Sequence, residues 1–136
     1  MNKNDIRDIL DNIGVSTRKD ADGDFYTILK ADEDFGHDVA ISHVLNETGG
    51  KLQMVAVAPE FKIDDSRRDE AVDFCNKWNT EKSFGCAYFQ QGYFLIQAAL
   101  NDPADLPPDY IGTSFFKFHT SVFWMFFKEA GKIFDR

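Results

Sequence analysis

Seven phenylalanines, Phe115, Phe116, Phe118, Phe123, Phe126, Phe127 and Phe134, follow Pro107-Pro108 within one C-terminal stretch, and that much ring surface has to be covered by something. On a wheel of about 100° per residue, Phe115, His119, Val122, Phe126 and Ile133 share one stripe. Phe116, Phe123, Phe127, Ala130 and Phe134 fall on the next. The two stripes span roughly 180°, whereas a helix lying on its own sheet needs only about 100° of apolar arc. Phe118, Trp124 and Met125 widen the arc on both sides. The spacing predicts a helix from Pro107-Pro108 through Gly112 to about Phe134, with a surplus of apolar face. That surplus points to a symmetric homodimer or another partner interface through Phe116, Phe118, Phe123, Trp124 and Phe127, together with the neighbouring sheet edge. The competing reading is a helix sunk in a sheet groove, its stripes serving as core.

The rest of the chain supplies that sheet. Ile6, Ile9, Leu10 and Ile13 repeat at helical spacing behind Asn2 or Asn4 as N-cap, with Gly14 as the stop. Residues 15–19 and 25–30 flank Asp20-Ala21-Asp22-Gly23 and read as a hairpin. Residues 39–47 and 52–58 flank Thr48-Gly49-Gly50 and read as a second. Pro59 ends that segment. Ser66 with Asp69 resembles a capping box for a helix with inner face Ala71, Phe74, Cys75 and Trp78, ending near Asn79. Residues 84–89 and 93–100 surround Gln90-Gln91-Gly92, and both alternating faces are apolar, which predicts central strands. The order α-ββ-ββ-α-ββ-α makes this an α+β chain with a mostly antiparallel sheet and helices packed on it. No repeat or linker divides residues 1–136, so one domain is expected.

Charge narrows the partners. The chain has 136 residues and a formal net charge of −8, which opposes nucleic-acid binding because phosphates need clustered Lys and Arg. Residues 1–70 hold 9 basic and 16 acidic side chains, a net −7, whereas 11 of the 14 phenylalanines follow residue 70. Acid and apolar surface are therefore contributed by different halves. No run approaches the roughly 18 apolar residues of a membrane span, and the first residues show no apolar leader core, so the cytoplasm is the expected location. Cys75 and Cys86 form no C-x-x-C pair and are expected to be buried small hydrophobes.

Signatures of chemistry are missing. Asp20, Asp22, Gly23 and Asp24 resemble the start of a calcium loop, but Phe25 stands where its sharp-turn glycine belongs and Ala31 where its bidentate glutamate belongs. Asp32, Glu33, Asp34 and Asp38 read as a charged surface loop. His37, His43 and His119 lie on a loop, a strand and the last helix, without metal-ligand spacing; His43 and His119 are expected to be satisfied, partly buried imidazoles. Nucleophile-elbow, P-loop and dinucleotide motifs do not occur. The expectation is no enzyme, with no catalytic, cofactor-binding or metal residues.

One local motif carries a resemblance. Cys75-Asn76-Lys77-Trp78-Asn79 ends a helix and precedes the strand pair Phe84-Gly85-Cys86-Ala87-Tyr88 and Phe94-Leu95-Ile96-Gln97-Ala98. Motif and element order together resemble the YbjN-like family, described as bacterial sensory transduction regulators. That family is similar in fold to type III secretion chaperones, which are acidic dimers that bind unfolded segments of other proteins. The resemblance covers nearly the whole chain and implies a protein-binding regulatory or chaperone-like module whose partner is another protein or peptide segment. It carries over no catalytic residue. A second reading keeps a small-molecule-sensing or hydrolytic domain, in which sheet and last helix enclose an aromatic pocket.

Overall fold

The computed structural model describes residues 1–82 and 84–135. Helix α1 (Lys3–Asn12) starts with a capping box. The Asn2 side chain accepts the Asp5 N–H at 3.1 Å, and the Asp5 carboxylate accepts the Asn2 N–H at 2.7 Å. Ile6, Ile9 and Leu10 are its buried face. Two strands follow, the short β1 (Arg18–Lys19) and β2 (Phe25–Leu29). In the turn between them the Asp20 carboxylate accepts the N–H groups of Asp22 and Asp24, both at 2.9 Å. β3 (Val39–Leu45) and β4 (Lys51–Val57) form the second hairpin.

Helix α2 (Arg68–Glu81) starts differently from the expected capping box and runs past Asn79. Asp64, not Ser66, caps: its carboxylate accepts the Ser66 N–H at 2.9 Å and opens a 3₁₀ turn, Asp65–Arg67, that leads into α2. Asn79 then takes over a sheet-like role. Its amide donates to the Ala87 carbonyl at 2.8 Å and accepts the Ala87 N–H at 2.7 Å, so it ties the end of α2 to the next strand. β5 (Cys86–Gln90) and β6 (Tyr93–Asn101) meet at Gln91-Gly92, whose φ of 53° and 90° are the two positive values of a tight hairpin turn.

All pairings are antiparallel and the order is β1-β2-β3-β4-β6-β5. β6 is thus internal, as its apolar run suggested, but β5 is an edge strand. A 3₁₀ turn, Pro103–Asp105, leads to the C-terminal helical run of α3 (Pro108–Tyr110), a π-helical stretch (Ile111–Lys117) and α4 (Phe118–Phe134). Helical backbone angles at Tyr110, Ile111, Lys117 and Phe118 carry the run through both junctions without a break. Gly112 allows α1 to approach closely, because a Cβ there would lie 2.9 Å from Ile13 Cγ2 and 3.3 Å from Ile9 Cγ2.

The core occupies one face of the sheet. Val39, Ile41, Leu52, Met54, Ala56, Phe94 and Ile96 point into it from the strands. Phe116, Phe123, Phe126 and Phe127 meet them from the C-terminal run, and α2 adds Ala71, Cys75 and Trp78. Phe94 has the rings of Phe61, Phe74, Phe89, Phe126 and Phe134 around it, with centroids 5.1 to 6.1 Å away.

Candidate protein-binding surface

The expected interface residues divide by burial. Phe116, Phe123 and Phe127 are 0% exposed, so the chain covers them itself and they offer no area to a partner. The reason is that the apolar arc has more than one neighbour. The sheet takes one side, Phe74 and Trp78 of α2 meet Phe126, and Phe35 reaches Phe127 and Trp124 at 5.9 and 5.8 Å from the loop before β3. Trp124 is half-buried there. Of the five, only Phe118 is exposed, at 40%, its ring edge-on to that of Phe84 at 4.7 Å. Met125 is exposed farther along α4.

The larger uncovered surface lies on the opposite face of the sheet. Side chains alternate along strands, so while Ile41 and His43 face the core, Ala40, Ser42 and Val44 face away, as do Gln53, Val55 and Val57 of β4 and Leu95, Gln97 and Ala99 of β6. Register assembles them into rows. Ile28, Ala40, Val57, Leu95 and Tyr88 are cross-strand neighbours, and Arg18, Tyr26, Ser42, Val55, Gln97 and Cys86 form the next row. At the centre the Gln53 amide donates to Gln97 Oε1 at 2.6 Å. The helices all pack on the other face. Five strands about 4.8 Å apart and five residues of about 3.3 Å give a platform of roughly 400 Å² before its rim is counted. A patch of that size commonly marks a contact site.

The sequence carried a trace of this face. Apolar residues at both alternating positions of residues 93–100 are the expected sign of a central strand, and β6 is central, yet among the described residues no layer covers its second apolar face. Among the described residues no acidic side chain stands in the two rows, and their one charged side chain is Arg18, opposite Tyr26 at the β1 end of the second, in a chain of net charge −8.

Apart from Arg18, Tyr26, Tyr88 and Cys86, titratable groups sit outside the two rows. Cys75 is buried, and burial, then the nearby Cys86, push its thiol up to about 12; Cys86, expected to be buried, is exposed on the platform's edge strand. His37 Nε2 donates to Asp135 Oδ2 at 3.1 Å, and His119 Nδ1 to the Phe115 carbonyl at 2.8 Å. Burial lowers the His119 pKa against that hydrogen bond. His43 is buried at 3% exposure between strands, and burial alone pulls its pKa down to about 4. It is not the satisfied imidazole that was expected: among the described residues neither ring nitrogen has a hydrogen-bond partner. The carboxylates of Asp20, Asp22 and Asp24 gather within 4.8 Å of one another. Asp20 holds the turn's N–H groups and Lys3 Nζ sits 3.0 Å from Asp24, which gives the cluster a role in the fold.

Comparison with known proteins adds a family and a fold. Residues 2–120 match the family model YbjN, whose description is "Putative bacterial sensory transduction regulator". A solved structure titled "Crystal structure of YbjN, a putative transcription regulator from E. coli" superposes with a TM-score of 0.74 at 12% identity. That superposition covers 97% of this chain and 93% of the other. No curated protein sequence matches. Among the described residues no helix is long and apolar enough to cross a membrane.

Proposed function

The chain belongs to the YbjN family, and from that premise we propose that it is a cytoplasmic, protein-binding regulatory module, chaperone-like in mode and without chemistry of its own. Its open sheet face joins two copies of the chain. The observation that carries this reading is the acid-free platform with an uncharged centre, Val55, Val57, Leu95 and Tyr88 around the Gln53–Gln97 bond, with Arg18 at its β1 edge.

A two-fold contact sets a patch against itself, so a charged patch would repel its own copy, whereas a neutral one does not. The acidic side chains of this chain lie outside the two rows and would stay at the rim or beyond. The platform supplies about half of the roughly 800 Å² per partner that a stable interface uses, and the rim would have to supply the rest. Phe84, Phe118 and Met125 lie across the molecule on the helical layer and stay exposed in such a dimer, available to a target protein or peptide segment.

Light scattering after size exclusion at micromolar concentration tests the reading. The wild-type chain should have the mass of two copies, and Val55→Arg, which places a cation in the platform's second row, should have the mass of one with an unchanged far-ultraviolet spectrum. A wild-type mass of one chain, or a Val55→Arg dimer as tight as wild type, would remove the sheet face as the interface.

A further inference from the structure

A cleft of about 450 Å³ opens between α1, β2 and the C-terminal helical run. The inner wall is formed by Leu10, Thr27, His43 and Phe116, all buried. The outer wall carries Ser16, Lys117 and Ser121, all exposed. Phe116 and Lys117 come from the π-helical stretch, whose wide turn is a form that occurs often at functional sites.

His43 makes the cleft more than a packing gap. A buried polar group without a partner costs about 1–3 kcal/mol, so native chains seldom keep one without use. Both His43 ring nitrogens are in that state, the ring lies edge-on to Phe116 at 5.0 Å, and its side chain lines the cleft. A neutral imidazole offers one donor and one acceptor. No Asp or Glu among the described residues lines the cleft, and Lys117 is its cation.

We propose that this cleft binds a small amphipathic molecule. A hydroxyl or amide at its inner end pairs with His43, its apolar body lies against Leu10, Ile13, Leu29 and Phe116, and a carboxylate at its outer end faces Lys117. A dry cavity of about 150 Å³ holds one benzene, so the volume here suits a molecule of roughly ten to twenty non-hydrogen atoms. The site meets the outer sheet face only at Ile28 of β2, and neither His43 nor Lys117 belongs to that face, so the two are tested independently.

Three probes of one length separate the contributions: 8-hydroxyoctanoate, octanoate and octane-1,8-diol. Each is titrated into the full chain while the imidazole nitrogens of His43 are followed by NMR. The hydroxy acid should shift both nitrogens saturably and bind about tenfold more tightly than octanoate, the worth of one hydrogen bond. His43→Leu should abolish that tenfold preference. Lys117→Glu, an exposed change that leaves the inner wall intact, should weaken both acids and spare the diol. The proposal is overturned if none of the probes perturbs His43 at millimolar concentration, if the perturbed residues lie outside the cleft, or if His43→Leu keeps the preference for the hydroxylated acid.

Discussion

Lowering the pH should destabilise this protein well before its carboxylates titrate, and His43→Leu should remove most of the effect. The folded chain holds His43 at about 4 because burial disfavours the imidazolium, whereas the unfolded chain returns it to the ordinary 6.5. Between those values the unfolded state binds a proton that the folded state refuses, so stability rises with pH through that window and is level above it. At about 1.4 kcal/mol per pH unit, the window is worth about 3 kcal/mol. Nothing charged offsets it from the packed side, where Phe25, Met54 and Phe116 face the ring. His119, also lowered, adds a smaller slope of the same sign. Asp38, held down by the Ala31 N–H, and Asp64, held down by Ser66, lose their contributions only below the ordinary carboxylate value of 3.8. Urea unfolding at closely spaced pH values from 4 to 7.5 measures the slope. His43→Leu should flatten it and be at least as stable as wild type at pH 7, because two unpartnered polar atoms are gone. A variant that keeps the full slope, or a His43 resonance that titrates near 6.5, would refute the reasoning.

Three further outcomes follow from the packing. Phe94→Ala removes a ring with five aromatic neighbours and should cost about 3–5 kcal/mol in denaturant unfolding, while a loss near zero would contradict the core described above. Gly112→Ala sets a methyl 2.9 Å from Ile13 Cγ2 and should cost about 1–3 kcal/mol by forcing α1 away, visible as a drop in Tm. In the Val55→Arg chain, which should be a single copy, a thiol reagent at neutral pH should modify Cys86 within minutes and Cys75 only after unfolding, so two equivalents reacting together in the folded protein would show that α2 is not packed as described.

How much of this was legible in sequence varied with the range of the interactions involved. α1 was readable because its cap, apolar spacing and glycine stop are local, and Asn2 and Gly14 do what the pattern says. The 3₁₀ entry to α2 was not, because Asp64 and Ser66 compete for one cap and the winner depends on how the chain arrives from β4. The aromatic run is over-wide for one sheet, but the pattern says nothing about how many neighbours share it. α2 covers Phe126 and the Phe35 loop covers Phe127, and the surplus expected at Phe116, Phe123 and Phe127 vanishes into the core. The open sheet face was hidden for the converse reason: an apolar second face reads the same whether a layer covers it or not. His43 followed its strand alternation inward, yet the missing partners of its ring depend on what β2, β4 and the π-helical stretch place around it.

Intermolecular NOEs test the proposed contact between copies through the outer sheet face most directly. In a mixture of methyl-labelled and unlabelled chains, isotope filtering reports only contacts between different molecules. Val55, Val57 and Leu95 methyls of one copy should show such contacts to Tyr88 and Leu95 protons of the other. Contacts confined to Phe118 and Met125 on the helical layer, or none at concentrations where the chain has the mass of two copies, would contradict it.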